Sequence, residues 1–424
     1  MLEVDTLSLV AAALFAVAVL HTFFVSFFRK LAHRFPNGSI PENIFHLLSE
    51  VEVVFGIWGG LFVLLTLLTQ GNLDTVAWME SLSFTEPAFV FVMLAVCSTR
   101  PVLDVARSIL QLCSRILPLP PRMAEYGVIL FVAPLLGSFI TEPAAMTVSA
   151  LVLLDRFYKE KVSTRFRYIT IGTLFVNVSI GGVITPFAAP PVLMVAETWN
   201  WDLTFMATHF GWRAVIATFA NAAVAVWLNR RELKRLPSKS WTGGHVLTPV
   251  WLRLIHLLFL GGVVFFSHHP VMFFGLFLFF LGWVTVTQEY QEELRLREGL
   301  LVAFFLAGLV VLGKPQDWWL QPLLAQFDSR MLFVGATLLT TITDNAALTY
   351  LGSQVPDLTE AAKYMLVAGA VTGGGLTVIA NAPNPAAYSI LKDSFGEEGI
   401  HPIRLLVAAV LPTLIAVLFF GVVR

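Results

Sequence analysis

The sequence predicts an all-α polytopic membrane protein built from two inverted repeats. Of its 424 residues, 57% are hydrophobic and only 13% are charged, whereas soluble domains carry about 25% charged residues. Apolar runs long enough to span a bilayer recur along the whole chain. Two short motifs from the first half return in the second half, which indicates a duplicated transport unit.

Composition and motifs also argue against several other classes. The net charge of −1 does not favour nucleic-acid binding. Cys97 and Cys113 have neither metal-site nor disulfide spacing. No zinc-protease, P-loop or nucleophile-elbow motif occurs, so we do not expect an enzyme or a bound cofactor. The run at about 7–28 follows an acidic start and lacks a cleavage pattern, which predicts a retained first membrane helix.

The loop charges of the first half predict its topology. Basic loops follow the first, third, fourth and sixth apolar runs, and acidic loops follow the second and fifth. The positive-inside rule places the basic loops in the cytoplasm and the N-terminus outside. Residues 125–154 have basic loops on both sides, so they are predicted to form a re-entrant hairpin bent near Thr141-Glu142-Pro143. Such a bend needs burial in protein or a water-filled cavity.

This topology gives the first half an odd number of crossings, so a second copy of the unit must be inverted. Each repeat is expected to hold about five transmembrane helices, one of them broken, and a hairpin. The C-terminus would then also lie outside. The predicted parts are the N-terminal repeat 1–228 with hairpin 125–154 and broken helix 168–196, the basic cytoplasmic linker 229–250, and the C-terminal repeat 251–424 with hairpin 331–354 and broken helix 364–391.

The first repeated motif places one carboxylate in each half. Ile140–Thr147 (ITEPAAMT) returns as Ile342–Thr349 (ITDNAALT), with Glu142 and Asp344 in register. A charge near a bilayer centre costs at least about 2.5–3.5 kcal/mol on insertion scales. We therefore expect the pair to bind a cation or carry protons.

A simpler interpretation is helix capping at the two tips. Thr141 and Thr343 could be N-caps with an acid in the first turn, and the two roles are compatible. Asn345 stands beside Asp344 where the first copy has Pro143, so the tips differ chemically. One tip could hold the ion and the other the proton.

The second repeated motif predicts a break in one long apolar run of each half. Residues 181–191 (GGVITPFAAPP) align with 373–383 (GGGLTVIANAP). Glycine and proline disrupt helices and free backbone groups there, and the residues expected to do so are Gly181, Gly182, Pro186, Gly373, Gly374 and Pro383. Thr185, Thr377, Asn381 and Asn384 could supply oxygen ligands for a sodium ion, or could instead satisfy the freed backbone groups.

With these motifs the chain resembles the ion transporter superfamily, and within it a bacterial sodium/proton antiporter family. NhaD- and NhaB-type antiporters, arsenite permeases and dicarboxylate/sodium symporters are related members. The resemblance implies a homodimer with a scaffold domain and a moving transport domain. The symporters typically show Ser-Asn-Thr at each tip, and this chain has Thr141-Glu142-Pro143 and Thr343-Asp344-Asn345 instead. Two acids would repel a carboxylate substrate.

We therefore expect a secondary antiporter that exchanges Na⁺ or Li⁺ for protons across a bacterial cytoplasmic (inner) membrane. Glu142 and Asp344 would bind the cation when ionised and release it when protonated. One rival is an anion transporter of the same fold, for organic acids or an oxyanion such as arsenite. No Lys or Arg occurs in 126–154 or 331–362 to attract one. A rival of another class is an ion channel or a non-transporting membrane scaffold.

Overall fold

The described residues of the first half form twelve α-helices of very different lengths. A computed structural model describes residues 6–50, 53–237, 247–324, 326–396 and 399–422, and these residues contain helices and no strand. The helices of the first half are α1 (Thr6–Ala32), α2 (Ile40–Leu48), α3 (Val54–Gln70), α4 (Asn72–Glu80), α5 (Thr85–Cys97), α6 (Arg100–Ile116), α7 (Pro121–Ile140), α8 (Glu142–Leu153), α9 (Thr164–Gly181), α10 (Pro190–Ala196), α11 (Leu203–Met206) and α12 (Trp212–Leu233).

The second half adds nine more α-helices within the described ranges. They are α13 (Val250–Phe265), α14 (Pro270–Val286), α15 (Leu296–Gly313), α16 (Asp317–Leu324), α17 (Ser329–Thr340), α18 (Asn345–Ser353), α19 (Glu360–Gly373), α20 (Asn384–Leu391) and α21 (Pro402–Val417). Of the predicted linker 229–250, the first residues continue α12 to Leu233, and residues 238–246 lie outside the described part of the chain.

Six segments of the described residues are long and apolar enough to cross a membrane. The α4–α5 pair, bent by 61°, would be a seventh span. The prediction of an all-helical, multi-pass membrane protein is confirmed. Helices α3, α13, α14 and α17 are apolar but shorter. At 1.5 Å per residue the 17 residues of α3 extend about 26 Å, slightly less than a hydrocarbon core of about 30 Å.

One body of the protein is built from α1, α3, α5, α13, α14 and α15, which share a phenylalanine-rich core. Helix α3 crosses α15 at contacts that only glycine permits. A Cβ atom on Gly308 would lie 2.2 Å from the carbonyl carbon of Phe55, and one on Gly59 would lie 3.1 Å from Gly308 Cα. The core also takes in residues of α8, α10 and α18, where this body meets the second one.

The second body is built mainly from α7, α8, α9, α10, α12, α17, α19, α20 and α21. In this body, α7 and α8 fold back on each other as a helical hairpin. At its base, Arg156 Nη2 lies 2.6 Å from Glu125 Oε1, and Arg122 Nη1 lies 3.0 Å from Glu125 Oε2. Arg122 Nη2 also donates to the Arg156 carbonyl at 2.5 Å. All three side chains are buried. This ionic cluster fixes the two ends of the hairpin together and leaves Thr141 at its tip.

Each hairpin region packs against the broken helix of the other half. Helix α8 contacts α20, and α18 contacts α10. The first half of each broken helix uses a glycine in the same way. A Cβ on Gly181 would lie 2.9 Å from the Pro134 carbonyl oxygen of α7, and one on Gly373 would lie 2.4 Å from the Thr337 carbonyl oxygen of α17. This reciprocal packing brings both repeated motifs to the centre of the second body.

The two broken helices cross where equivalent residues of the two halves meet. Ser179 and Val371 each stand two residues before the aligned glycines Gly181 and Gly373. Ser179 Oγ donates to the Val371 carbonyl at 2.7 Å. The two aligned segments therefore contact each other directly.

Candidate functional site

Both long apolar runs are interrupted at the repeated glycines. Helix α9 ends at Gly181, a single 3₁₀ turn follows over Gly182–Ile184, and α10 begins at Pro190. In the second half, α19 ends at Gly373 and α20 begins at Asn384. The segments around Pro186 and from Gly374 to Pro383 are therefore non-helical, and their backbone groups need other partners.

Side chains of the hairpin regions and of the breaks supply those partners. Ser138 Oγ donates to the Gly181 carbonyl at 2.7 Å and accepts from the Ile184 amide at 3.0 Å. Thr185 Oγ1 donates to the Ser138 carbonyl at 2.5 Å, and Thr377 Oγ1 donates to the Thr341 carbonyl at 2.9 Å. The two aligned threonines thus tie each break to the adjacent hairpin.

Glu142 lies at the centre of this arrangement. It is the first residue of α8 and is 0% exposed. Its Oε2 accepts a hydrogen bond from Asn381 Nδ2 at 2.8 Å, which joins the first hairpin tip to the second break. Its Oε1 is buried and has no hydrogen-bond partner among the described residues. A buried carboxylate oxygen without a partner is costly, which marks the place where a cation or a proton would be stabilised.

Further buried oxygens without a hydrogen-bond partner in the described chain lie at the two tips and in the second break. They are Thr141 Oγ1, Asn345 Oδ1, Asn381 Oδ1 and Asn384 Oδ1. Asn384 uses its Nδ2 to donate to the carbonyls of Gly374 and Thr377, both at 2.8 Å. The Asn345 amide N–H donates to the Ala380 carbonyl at 3.1 Å, which joins the second tip to the same break. Hard cations prefer oxygen ligands of this kind.

The two tips differ in how they use their acids. Asp344 is the N-cap of α18, and its Oδ1 accepts from the amides of Ala346 and Ala347 at 2.8 and 3.3 Å. Thr343 lies in the turn before it, where its amide donates to the Leu339 carbonyl. Thr141 stands at the N-cap position of α8, but its side chain makes no capping hydrogen bond. Its φ of 70° lies in the region that disfavours β-branched residues. In the second tip the N-cap is Asp344 and not Thr343, which corrects the capping interpretation at that position.

Two cavities reach towards this centre from opposite groups of loops. A cavity of about 430 Å³ lies between Pro143 of α8 and Pro383 of the second break, with Glu50, Arg295 and Arg297 among its lining residues. It shares Val302, Ala382 and Pro385 with a small void lined by Asp344 and Asn381. The sequence assigns the loops of this group to the cytoplasmic side.

The other cavity, of about 190 Å³, is lined by Pro186 and Phe187 of the first break. Glu86, Glu197 and His268 also line it, and all three come from segments that the sequence assigns to the outside. Glu86 belongs to the first body, and Glu197 follows α10 of the second body, so this cavity lies where the two bodies meet. Each cavity is therefore lined by residues of one helix break and by charged residues from loops predicted to lie on one side of the membrane.

Sequence reasoning missed Ser138, Ser179 and Gly137 as parts of the site. Extending the alignment of the first motif by two residues places Ser138 opposite Thr340. Both residues carry a hydroxyl group, which is a signal that could have identified Ser138. Ser179 has no such signal, since its equivalent is Val371. Gly137 lies where a Cβ would be 3.2 Å from Ala145 Cβ, so it permits the tight turn at the hairpin tip.

Gly182→Ala is expected to reduce transport by about tenfold or more. The added Cβ would lie 2.5 Å from both Cγ and Oε1 of Glu142, so the carboxyl group must move away from its ligand position. Cation-driven exchange of the purified variant in liposomes measures the effect. Gly275→Ala in α14 is the matched control, because its Cβ would have no neighbour within 4 Å. Equal rates in both variants would show that the position of the carboxyl group is not critical.

Comparison with known proteins identifies the family. Residues 6–423 match the profile of a family described as "Putative Na+/H+ antiporter". The chain belongs to this family. A search of curated proteins found no match. Family membership and the membrane-spanning helices together make the chain a multi-pass membrane protein of an antiporter family, in agreement with the class of function expected from its sequence.

Proposed function

We propose that the protein exchanges Na⁺ or Li⁺ for protons, with Glu142 as the residue that alternates between them. The observation that carries this proposal is the environment of Glu142. One carboxylate oxygen is held by Asn381, and the other faces inward without a partner in the described chain. A cation or a proton at Oε1 would satisfy that oxygen, and the two cannot occupy it at the same time.

The remaining ligands would come from the oxygens around this carboxylate. Asn381, Asn345, Asn384 and Thr141 can replace part of the hydration shell of a monovalent cation, as carbonyl oxygens do in selective channels. The carboxylate supplies the charge that makes loss of water favourable. Proton binding neutralises that charge and releases the cation, so each transport cycle is coupled to proton movement.

Asp344 has a different role in this proposal. Its carboxylate caps α18 and interacts electrostatically with Glu142, which places a second negative charge beside the bound ion. It also lines the small void that adjoins the larger cavity of Arg295 and Arg297. Asp344 would therefore attract the cation and hold the second tip in place, and Glu142 would discriminate cation from proton.

We also propose that the two halves are inverted repeats in a bacterial inner membrane, with both termini outside. The aligned motifs, the reciprocal contacts of α8 with α20 and α18 with α10, and the Ser179–Val371 contact support a twofold relation. The basic loops of the first half support the orientation. In this arrangement the two hairpins, 125–154 and 331–354, enter from opposite faces. A homodimer with a moving transport domain rests on the superfamily resemblance.

Reconstituted protein in liposomes with a trapped pH-sensitive dye tests the function. Addition of Na⁺ or Li⁺ to acid-loaded liposomes should raise the internal pH, and K⁺ measures selectivity. Liposomes without protein give the leak rate. Uptake of a labelled dicarboxylate without cation-driven proton release would favour the anion transporter instead. Cation flux without proton movement, at rates far above those of a carrier, would favour a channel.

A further inference from the structure

A long apolar groove lies on the surface of the second body, away from the ion site. Helices α12 and α21 both pack on α9, so α9 forms the floor of the groove and the other two helices form its walls. The resulting cavity of about 530 Å³ has walls made mainly of aliphatic side chains. Ile403 and Val407 on its rim are each 66% exposed. In a membrane-spanning helix such residues face the lipid.

The groove has one polar end and one closed end. Arg165 at the start of α9 and Arg404 at the start of α21 line the same end. Both side chains are exposed, and neither forms an ion pair with a described residue. At the other end, Asn221 Nδ2 of α12 donates to the Pro412 carbonyl of α21 at 3.2 Å and joins the two walls.

The dimensions of the groove match one leaflet of a bilayer. Its lining extends along α21 from Ile403 to Ile415, which is about 18 Å at 1.5 Å per residue. Half of a hydrocarbon core of about 30 Å is roughly 15 Å. An occupant with its charged group at the two arginines would therefore extend an acyl chain to about the bilayer midplane.

Among the described residues, two nearby charged side chains have other partners, which leaves both arginines available for an anion. The carboxylate of Glu232, at the end of α12, accepts from Ser163 N at 2.9 Å and Ser163 Oγ at 2.7 Å. Arg167, two residues beyond Arg165, donates to the Ser394 carbonyl. The end of the groove thus presents two guanidinium groups from two different helices, an arrangement suited to a phosphate group.

We propose that this groove is a binding site for an anionic phospholipid. The phosphate would lie between Arg165 and Arg404, and one acyl chain would lie along α9 between α12 and α21. Basic pockets between membrane helices bind cardiolipin-like head groups for the same reason. A bound chain would fill the space between α12 and α21 and hold both against the broken helix α9.

Native mass spectrometry of the full-length protein tests this proposal. We expect retained adducts of phosphatidylglycerol or cardiolipin and a rise in melting temperature with these lipids, but not with phosphatidylcholine. Arg165→Gln combined with Arg404→Gln should weaken anionic-lipid binding by about thirtyfold. The matched control is Arg29→Gln with Arg34→Gln, which removes two exposed charges from the end of α1 and the turn after it and should leave binding unchanged. Val224→Trp should fill the groove and displace the lipid without altering the arginines.

Three results would overturn the proposal. The first is equal binding of phosphatidylcholine and phosphatidylglycerol. The second is an equal effect of inorganic phosphate alone, because free phosphate does not use the apolar walls. The third is efficient crosslinking between two copies through Val407→Cys, which would make the groove a contact between copies of the chain.

Discussion

Glu142→Gln is expected to reduce cation/proton exchange by about 10- to 100-fold. The substitution keeps the size of the side chain but removes the charge that balances the bound cation. A hydrogen bond or ligand contact to a charged group is worth about 1.5–3 kcal/mol, and about 1.4 kcal/mol corresponds to a factor of ten. Because the amide cannot take up and release a proton, coupling should be lost together with binding. The liposome assay with Na⁺ and Li⁺ measures both.

Two further substitutions make this test specific. Glu142→Asp keeps the charge but shortens the side chain, so partial exchange with a weaker apparent affinity is expected. Asp344→Asn should have a smaller effect than Glu142→Gln, because asparagine is also a good N-cap for α18. Wild-type exchange in both Glu142→Gln and Asp344→Asn would refute the proposed site. A larger loss in Asp344→Asn would reverse the roles of the two acids.

The second large effect is expected on stability, at the base of the first hairpin. Glu125→Gln should destabilise the folded protein by about 3–5 kcal/mol, because it leaves the buried guanidinium groups of Arg122 and Arg156 without their counter-charge. The melting temperature of the detergent-solubilised protein should fall accordingly. Lys159→Gln is the matched control. It breaks the ion pair with Asp155, in which the side chains of Lys159 and Asp155 are 62% and 56% exposed. The loss should cost less than about 1 kcal/mol.

The combined variant Arg122→Met, Glu125→Leu, Arg156→Met separates the energy of the ion pairs from the effect of burial. Replacing a whole buried ionic cluster by apolar residues is often neutral or stabilising. Most of the lost stability should therefore return. If the triple variant is less stable than Glu125→Gln, the cluster contributes net stability of its own, and our explanation of the single variant is wrong.

The sequence predicts the helical class, the multi-pass membrane location and the two breaks at Gly181 and Gly373. Hydrophobicity identifies membrane spans because every segment that crosses the hydrocarbon core must be apolar and must satisfy its own backbone hydrogen bonds. Glycine and proline identify the breaks because they disrupt the helical backbone directly. Helix α9 ends at Gly181 and α19 ends at Gly373. These signals are local, so one chain without relatives carries them.

The pairing of side chains across the site could not be predicted in the same way. The bond between Glu142 and Asn381 joins residues 239 positions apart, and nothing in either motif indicates the other. The roles of the two acids also depend on tertiary structure. Asp344 turns back to cap its own helix, whereas Glu142, one methylene longer and followed by Pro143, points across to the other half. The ends of α3, α13 and α14 also depend on how the helices pack, so composition alone does not determine their lengths.

The contact between Ser179 and Val371 has a consequence for how such a molecule could move. We propose that the two halves are inverted repeats. If they exchange conformations during transport, contacts on the proposed twofold axis between them are left unchanged. The crossing of α9 and α19 would then stay in place while the hairpin tips move around it. The hydroxyl of Ser179 has no counterpart on Val371, so the contact at the crossing is chemically asymmetric. The states open to either face of the membrane would therefore differ in free energy even without an ion gradient.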